Sequence, residues 1–213
     1  MIIKSRLTPT DVPWDIINTD CDIAVDVPPL IYGEFLEDSV STIQLIKRRD
    51  LDNWATDYRN HVTELISPLF WSNATYESIT DASWFARYNK GGYVDWHIHK
   101  PYVDLIAVWY LKADDASDFV YMDNGVEQTI KVSTGDILIF PGSVLHRTIP
   151  QHSNVERIIM SSDLCLTRHS VEKLVKLSNS GTEQLDKLYA TRQQYLIDKI
   201  KEYNEIKSSQ VFN

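Results

Sequence analysis

The chain reads Trp96-His97-Ile98-His99 near its middle and Phe140-Pro141-Gly142-Ser143-Val144-Leu145-His146 further along. Side chains alternate between the two faces of a β-strand, so His97 and His99 are predicted to project from one face. His146 follows a Pro-Gly break, and a strand distant in sequence can bring a third imidazole to such a pair. Because imidazole binds iron, zinc, copper and nickel, the pattern predicts a metal site formed by His97, His99 and His146.

The sequence around these histidines has the pattern of a β domain. From Trp84 to about Asp163, short apolar runs alternate with turn residues, and Asn124-Gly125 is a strong signal for a two-residue hairpin turn. Strands are predicted at residues 84–88, 93–99, 103–111, 118–122, 126–132, 136–140, 144–149 and 155–162. So many short strands in succession predict a barrel or a double-sheet jelly roll.

The regions on either side of this β core differ in composition. Residues 1–40 carry four prolines and little periodicity, so irregular chain with one or two short strands is expected. Residues 41–70 have helical periodicity, with Asp50 or Asp52 as the N-cap and Pro68 as the stop. The charged region 166–213 is predicted to be a C-terminal helical extension, whose amphipathic part at 182–206 packs on its own domain or pairs with a second copy.

The composition limits the classes of partner. A net charge of −9 disfavours binding to nucleic acid, so a small molecule or a protein is the expected partner. Neither a signal peptide nor a membrane-spanning segment is evident, which predicts a cytoplasmic protein with no membrane partner. Cys21 and Cys165 are far apart in sequence and are expected to be reduced thiols.

Arg157 lies within an apolar run, where strand alternation places it on one face with Val155, Ile159 and Ser161. A guanidinium on an inward face requires an anion. The anion is either an internal carboxylate or the carboxylate of a ligand, for which the planar fork of arginine is well suited. The remaining histidines, His61, His152 and His169, lack such a context and are predicted to be structural or surface residues.

These motifs together resemble the Fe(II)/2-oxoglutarate-dependent oxygenase superfamily, in its prolyl-hydroxylase-like branch. The resemblance covers about residues 84–165 and is carried by the segments 87–99, 107–111 and 135–140 together with His146 and Arg157. It implies a double-stranded β-helix, with Fe(II) as the metal and 2-oxoglutarate as the cosubstrate.

The resemblance also implies roles for individual residues. The iron ligands would be His97, His99 and His146, and Arg157 would bind the far carboxylate of 2-oxoglutarate. Tyr88, Tyr110 and Ser161 match positions that contact the same cosubstrate. No catalytic residue beyond the metal ligands is implied.

One position departs from the usual pattern of the superfamily, because His99 stands where an acidic ligand is expected. The His-x-His sequence, followed closely by Pro101, resembles a variant group found in bacteria and phages. Three neutral imidazoles leave the site one charge unit more positive than two imidazoles and a carboxylate. Asp95 on the same predicted face, or Asp104 on the neighbouring strand, is an alternative source of the carboxylate.

The sequence therefore predicts an α+β fold, mainly β. Residues 1–165 would form an oxygenase-like domain with a double-stranded β-helix (jelly roll) core at about 84–165 and helical support at about 41–70; residues 166–213 would form the extension. The expected function is hydroxylation of a small molecule or a protein side chain, in the cytoplasm of a bacterium or of a host cell if a phage encodes the protein. The alternatives are a cupin-like three-histidine dioxygenase that does not use 2-oxoglutarate, and a non-catalytic jelly-roll assembly protein, such as one from a phage.

Overall fold

The computed structural model describes residues 2–25, 39–41, 54–66, 80–99, 103–114, 117–165 and Gln194. The described strands are β1 (Ile3–Arg6), β2 (Ser39–Ser41), β3 (Thr80–Tyr88), β4 (Leu105–Lys112), β5 (Asp118–Asp123), β6 (Val126–Lys131), β7 (Asp136–Pro141), β8 (His146–Thr148) and β9 (Arg157–Cys165), and the helices are α1 (Trp14–Val25) and α2 (Thr56–Ile66). Apart from Gln194, the predicted extension at 166–213 lies outside the described residues, as do His169 and both predicted N-cap residues.

Two antiparallel sheets form the core. The larger sheet has the strand order β1-β7-β4-β9-β3-β2, and the smaller has the order β6-β5-β8. Strands that are neighbours in the larger sheet are distant in the chain, as in a jelly roll, whereas β5 and β6 form a simple hairpin. Asn124 and Gly125 both have positive φ angles at that hairpin, as its predicted turn requires. The predicted jelly-roll fold, mainly β, is confirmed.

The two faces of the larger sheet are both buried, which explains the uninterrupted apolar runs of β4 at residues 105–111 and of β7 at residues 137–141. The inner face packs against the smaller sheet. This inter-sheet cluster contains Tyr88, Tyr110, Phe119, Phe140 and Ile159, and the rings of Phe119 and Phe140 lie 4.9 Å apart. Phe119 and Phe140, which contact the predicted metal ligand His146, thus belong to an apolar interior that both sheets share.

The outer face of the larger sheet is covered by the helices. Helix α2 buries Tyr58, Val62 and Ile66, which recur at helical spacing, against this face. The Tyr58 ring stacks on Trp109 at 5.2 Å, and its hydroxyl donates to Ala107 O at 3.3 Å. Within the described residues, no helix is long and apolar enough to cross a membrane.

Helix α1 corrects the expectation of irregular chain over residues 1–40. Pro13 suggested a break, but its carbonyl accepts hydrogen bonds from Ile16 and Ile17 in the first turn of the helix. Proline is compatible with a helix start because the first N–H groups have no partner within the helix. Among the residues of this helix whose side chains are described, Ile17 and Cys21 are the fully buried apolar ones, and such a short apolar stripe was not recognised in the sequence. The expected short strands are present as β1 and β2.

Residues 93–99 run beside β8 but do not form the continuous strand that was predicted. Backbone hydrogen bonds pair Val94 with Thr148 and His97 with His146, so one chain has an extra residue between the two pairs. Such a bulge shifts the alternation by one residue. Val94 and His97 therefore both face the interior, whereas Asp95 is exposed and does not share a face with the histidines.

Candidate metal centre

His97 and His146 lie opposite each other at the junction between β8 and the bulged segment. Their backbones exchange two hydrogen bonds, of 2.9 and 3.0 Å, and their ring centroids are 4.1 Å apart. His146 also contacts Phe119 and Phe140, with ring centroids at 5.5 and 4.8 Å. The local pairing, rather than a long strand, thus holds two imidazoles next to the apolar interior.

His99 is positioned by the turn that follows β7. Its backbone N–H donates to Gly142 O at 2.9 Å, and the N–H of Gly142 donates to Asp104 O at 3.1 Å. A Cβ added at Gly142 would lie 2.5 Å from Val103 O, so the backbone approach requires glycine here. The Pro-Gly break that was noticed in the sequence therefore brings three chain segments together at the histidines.

The structure brings together all three histidines that the sequence analysis selected. One ring nitrogen from each of His97, His99 and His146 lies within 4.8 Å of the others, a group that could hold a metal ion. The His99 ring lies 5.5 Å from that of His97 and 5.3 Å from that of His146. The donor set, three imidazoles, suits a first-row transition metal.

The hydrogen bonds of the rings select the nitrogen that each histidine would present. Nδ1 of His97 donates to Asp95 O, and Nδ1 of His146 donates to Val144 O, both at 2.8 Å. Nδ1 of His99 lies 2.7 Å from a carboxylate oxygen of Asp163. Because a carbonyl or carboxylate oxygen accepts, Nδ1 carries the hydrogen in each neutral ring and Nε2 keeps the free electron pair that a metal requires.

Burial also favours neutral rings at two of the three positions. Desolvation lowers the pKa of His97 to about 4, with a smaller contribution from the neighbouring His99, and it lowers the pKa of His146 well below its usual value. The hydrogen bonds to the Asp95 and Val144 carbonyls oppose these shifts. At neutral pH, both rings are therefore available as ligands without first losing a proton.

Neither of the carboxylates considered as an alternative ligand belongs to the histidine group. Asp95 is exposed, and its Oδ1 accepts the backbone N–H of Trp96 at 2.7 Å. Asp104 is buried at the start of β4. The carboxylate in contact with His99 is that of Asp163, two residues beyond Ser161 and therefore on the same face of β9. The sequence analysis missed Asp163, although extending the alternation from Arg157 along the strand would have reached it.

Arg157 is fully buried, and much of its hydrogen-bonding capacity is unused. Its Nη2 donates to Ile149 O at 3.5 Å, whereas Nε and Nη1 have no hydrogen-bond partner among the described residues. Its guanidinium carbon lies 4.4 Å from the centre of the Tyr88 ring, and no described carboxylate forms an ion pair with it. A buried, unpaired charge is costly, so these two donors mark a place for an anion.

The other predicted cosubstrate residues lie on the same inner face. Tyr88 pairs directly with Arg157 across β3 and β9, and Tyr110 lies opposite Ile159. Burial raises the pKa of Tyr88 to about 12 and also raises that of Tyr110, while the Arg157 charge opposes both shifts, so both phenols keep their protons at neutral pH. Ser161 is buried four residues beyond Arg157, between the guanidinium and Asp163. The predicted roles of Tyr88, Tyr110 and Ser161 in binding the cosubstrate stay predictions.

The histidines that were expected to be structural or on the surface lie away from this group where the structure describes them. His61 on α2 shares a hydrogen bond of 3.0 Å with Ser5 Oγ on β1, and His152 is exposed in the loop before β9. Cys21 is a buried free thiol, and desolvation raises its pKa to about 11. None of these three side chains contributes to the metal-ligand group among the described residues.

Comparison with solved structures supports the fold assignment. A prolyl-4-hydroxylase from Pseudomonas putida superimposes with a TM-score of 0.50 at 14% identity, covering 78% of this chain and 92% of that one. An oxidoreductase of the 2OG-Fe(II) oxygenase family from Burkholderia pseudomallei gives a TM-score of 0.52 at 14% identity, covering 78% of this chain and 84% of that one. At such identities the likeness establishes the fold that these proteins share.

Comparisons by sequence add nothing to this assignment. No protein-family model matches the chain, and no curated protein matches it. The functional argument therefore depends on the residues of the site itself.

Proposed function

We propose that this protein is an Fe(II)- and 2-oxoglutarate-dependent oxygenase that hydroxylates a small molecule or a protein side chain. The observation that carries the proposal is a cluster of three imidazoles that borders the same apolar interior as a buried guanidinium, whose Nε and Nη1 have no partner among the described residues. A purely structural metal would use the imidazoles alone. The guanidinium additionally requires an anion, and the far carboxylate of 2-oxoglutarate meets that requirement.

The histidines would hold the metal through their Nε2 atoms. The hydrogen bonds at Nδ1 fix the tautomer and the orientation of each ring, so little reorganisation accompanies metal binding. Three protein ligands leave coordination positions for exogenous ligands. When bound, Fe(II) and 2-oxoglutarate supply the oxidising chemistry, in which O₂ converts the cosubstrate to succinate and CO₂ and gives one oxygen atom to the substrate.

The remaining residues would bind and orient the cosubstrate. Arg157 offers Nε and Nη1 to the far carboxylate, and the Tyr88 ring beneath the guanidinium keeps its plane in place. Phe119 and Phe140 pack beside His146 and exclude water from that side of the site. A dry environment strengthens the charged contact and protects reactive species from side reactions.

The proposal is tested by measuring the cosubstrate requirement of oxygen consumption. We expect 2-oxoglutarate to raise O₂ consumption by the Fe(II)-loaded protein above the rate measured with ascorbate alone, and succinate to form in parallel with this increase. The Arg157→Met variant, loaded with the same metal, is the control and is expected to show little of either. If 2-oxoglutarate neither raised O₂ consumption by the parent protein nor yielded succinate, the proposal would be contradicted.

The two other functions considered from the sequence give different results in this assay. A cupin-like three-histidine dioxygenase would consume O₂ with its own substrate and be indifferent to 2-oxoglutarate. An assembly protein would bind metal without any oxygen consumption. The donors of Arg157 that lack a described partner argue against the assembly protein, which would leave a buried charge with no described counter-ion. The response to 2-oxoglutarate separates the proposed oxygenase from the cupin-like dioxygenase, whose own substrate could supply the anion.

A further inference from the structure

Asp163 on β9 is in direct contact with one of the three histidines. One of its carboxylate oxygens lies 2.7 Å from Nδ1 of His99, and the side chains are only 16% and 10% exposed, respectively. The Trp84 ring lies 6.0 Å from the His99 ring and helps to shield the pair. In the part of the chain that the structure describes, no lysine or arginine is within ion-pair distance of Asp163. Its negative charge is therefore directed at His99.

The charge of the proposed metal site makes this contact significant. His97 and His146 each donate Nδ1–H to a neutral backbone carbonyl, whereas His99 donates to a carboxylate. A carboxylate that accepts the outer N–H of a ligating imidazole fixes its tautomer and increases the basicity of the other nitrogen. Three neutral imidazoles alone would leave the site one unit more positive than two imidazoles with a bound carboxylate. Asp163 supplies one unit of negative charge on the far side of the His99 ring from the proposed metal.

We propose that Asp163 is a positioning residue that orients His99 and supplies, through its imidazole, the negative charge that a directly bound carboxylate would otherwise bring to the metal. This inference rests on the proposed metal site. Position 99 carries an imidazole, and the carboxylate that acts through it lies on a different strand, β9. Asp163 sets both the affinity of the site for a divalent metal and the electronic environment of the bound ion.

Two substitutions of Asp163 separate its effect on the orientation of the His99 ring from the effect of its negative charge. Asp163→Asn keeps an oxygen that can accept Nδ1–H but removes the charge, and Asp163→Ala removes both. Loss of an outer partner typically weakens metal binding by about 10- to 100-fold, so we expect a loss near the lower value for asparagine and near the upper value for alanine. Ser162→Ala is the matched control on the same strand, because Ser162 faces the other way and bonds to Tyr58 and Ser83.

The measurement is Co(II) binding by chelator competition, together with the visible spectrum of the bound Co(II). A change in that spectrum in both Asp163 variants, absent in Ser162→Ala, reports the ligand environment and would not arise from general destabilisation. Urea unfolding of each metal-free variant is recorded alongside, and Asp163→Asn, which preserves the shape of the side chain, decides the matter if the alanine variant does not fold. Co(II) affinity within twofold of the parent in the folded variants, with an unchanged spectrum, would overturn the inference.

Failure of the proposed oxygenase function gives a different result from failure of the inference about Asp163. A parent protein that binds Co(II) but not 2-oxoglutarate would refute the oxygenase assignment, and the Asp163 variants would still decide whether this carboxylate tunes the metal. A parent protein that does not bind Co(II) would overturn both.

Discussion

Replacing Arg157 with methionine is expected to weaken 2-oxoglutarate binding to the Fe(II)-loaded protein by about 30- to 150-fold, the equivalent of about 2 to 3 kcal/mol for a lost charged contact. The reason is that Nε and Nη1 of Arg157 are buried and have no partner among the described residues, and methionine fills a similar volume without these donors. The measurement is an anaerobic binding titration with 2-oxoglutarate.

A matched control variant and the stability of the ligand-free protein distinguish a specific loss of 2-oxoglutarate binding from misfolding. The control is Arg87→Met, which also removes a guanidinium, at the residue before Tyr88. Arg87 forms an ion pair of 2.7 Å with Asp22, so its replacement should leave the affinity for 2-oxoglutarate unchanged. Because the buried Arg157 charge forms no ion pair with a described carboxylate, its removal is not expected to lower the stability of the ligand-free protein. Parent-like 2-oxoglutarate affinity in Arg157→Met would show that the guanidinium does not bind the cosubstrate.

Replacing His146 with alanine removes a proposed metal ligand and is expected to lower Fe(II) affinity by more than about 100-fold. Loss of a residue that only hydrogen-bonds to a ligand typically costs about 10- to 100-fold, and loss of the ligand itself should cost more. His146 is 5% exposed and lies at the centre of the site, in ring contact with both other histidines. Iron content after anaerobic loading and desalting measures the effect, and His97→Ala should behave in the same way.

The control for the histidine variants is His152→Ala, which removes an exposed imidazole from the loop before β9. It should bind iron as the parent does. Retention of stoichiometric iron by both His97→Ala and His146→Ala would rule out the assigned ligand set. Far-UV circular dichroism of the metal-free variants establishes that the jelly roll is intact in each.

The candidate site could be predicted because its signals are local. A His-x-His pair is readable from strand alternation, and the Pro-Gly break before His146 marks a turn whatever the partner strand is. The roles still rest on experiment, but the structure brings together the three histidines and buries Arg157 on the inner face, as alternation within β9 suggested. Short strands with clear turn residues, such as the hairpin at Asn124-Gly125, are similarly legible.

The features that were missed depend on pairing between distant segments. The bulge between Val94 and His97 follows from their pairing with Thr148 and His146, because three residue steps on one segment lie opposite two steps on β8. This pairing joins segments that are distant in sequence, and residues 94–97 carry no signal for it. The bulge explains why Asp95, placed with the histidines by strict alternation, is exposed instead. The contact between Asp163 and His99 also joins distant strands, although its position on β9 could have been counted from Arg157.

Helix α1 was missed for a different physical reason. Among the residues of α1 whose side chains are described, the fully buried apolar ones are Ile17 and Cys21, and Asp15, Asp20 and Asp22 interrupt the apolar pattern of the segment. Packing against the larger sheet, rather than intrinsic propensity, stabilises such a helix. Pro13 was interpreted as a break, when its position at the helix start is one that proline tolerates well.

The measurement that tests the central claim most directly is an anaerobic titration of the Fe(II)-loaded protein with 2-oxoglutarate, followed by visible absorption. Chelation of Fe(II) by the keto acid produces a weak metal-to-ligand charge-transfer band. We expect the band to appear and saturate at one equivalent in the parent protein, and to be absent in His146→Ala. A protein that retains iron but shows no band at saturating 2-oxoglutarate would contradict the account.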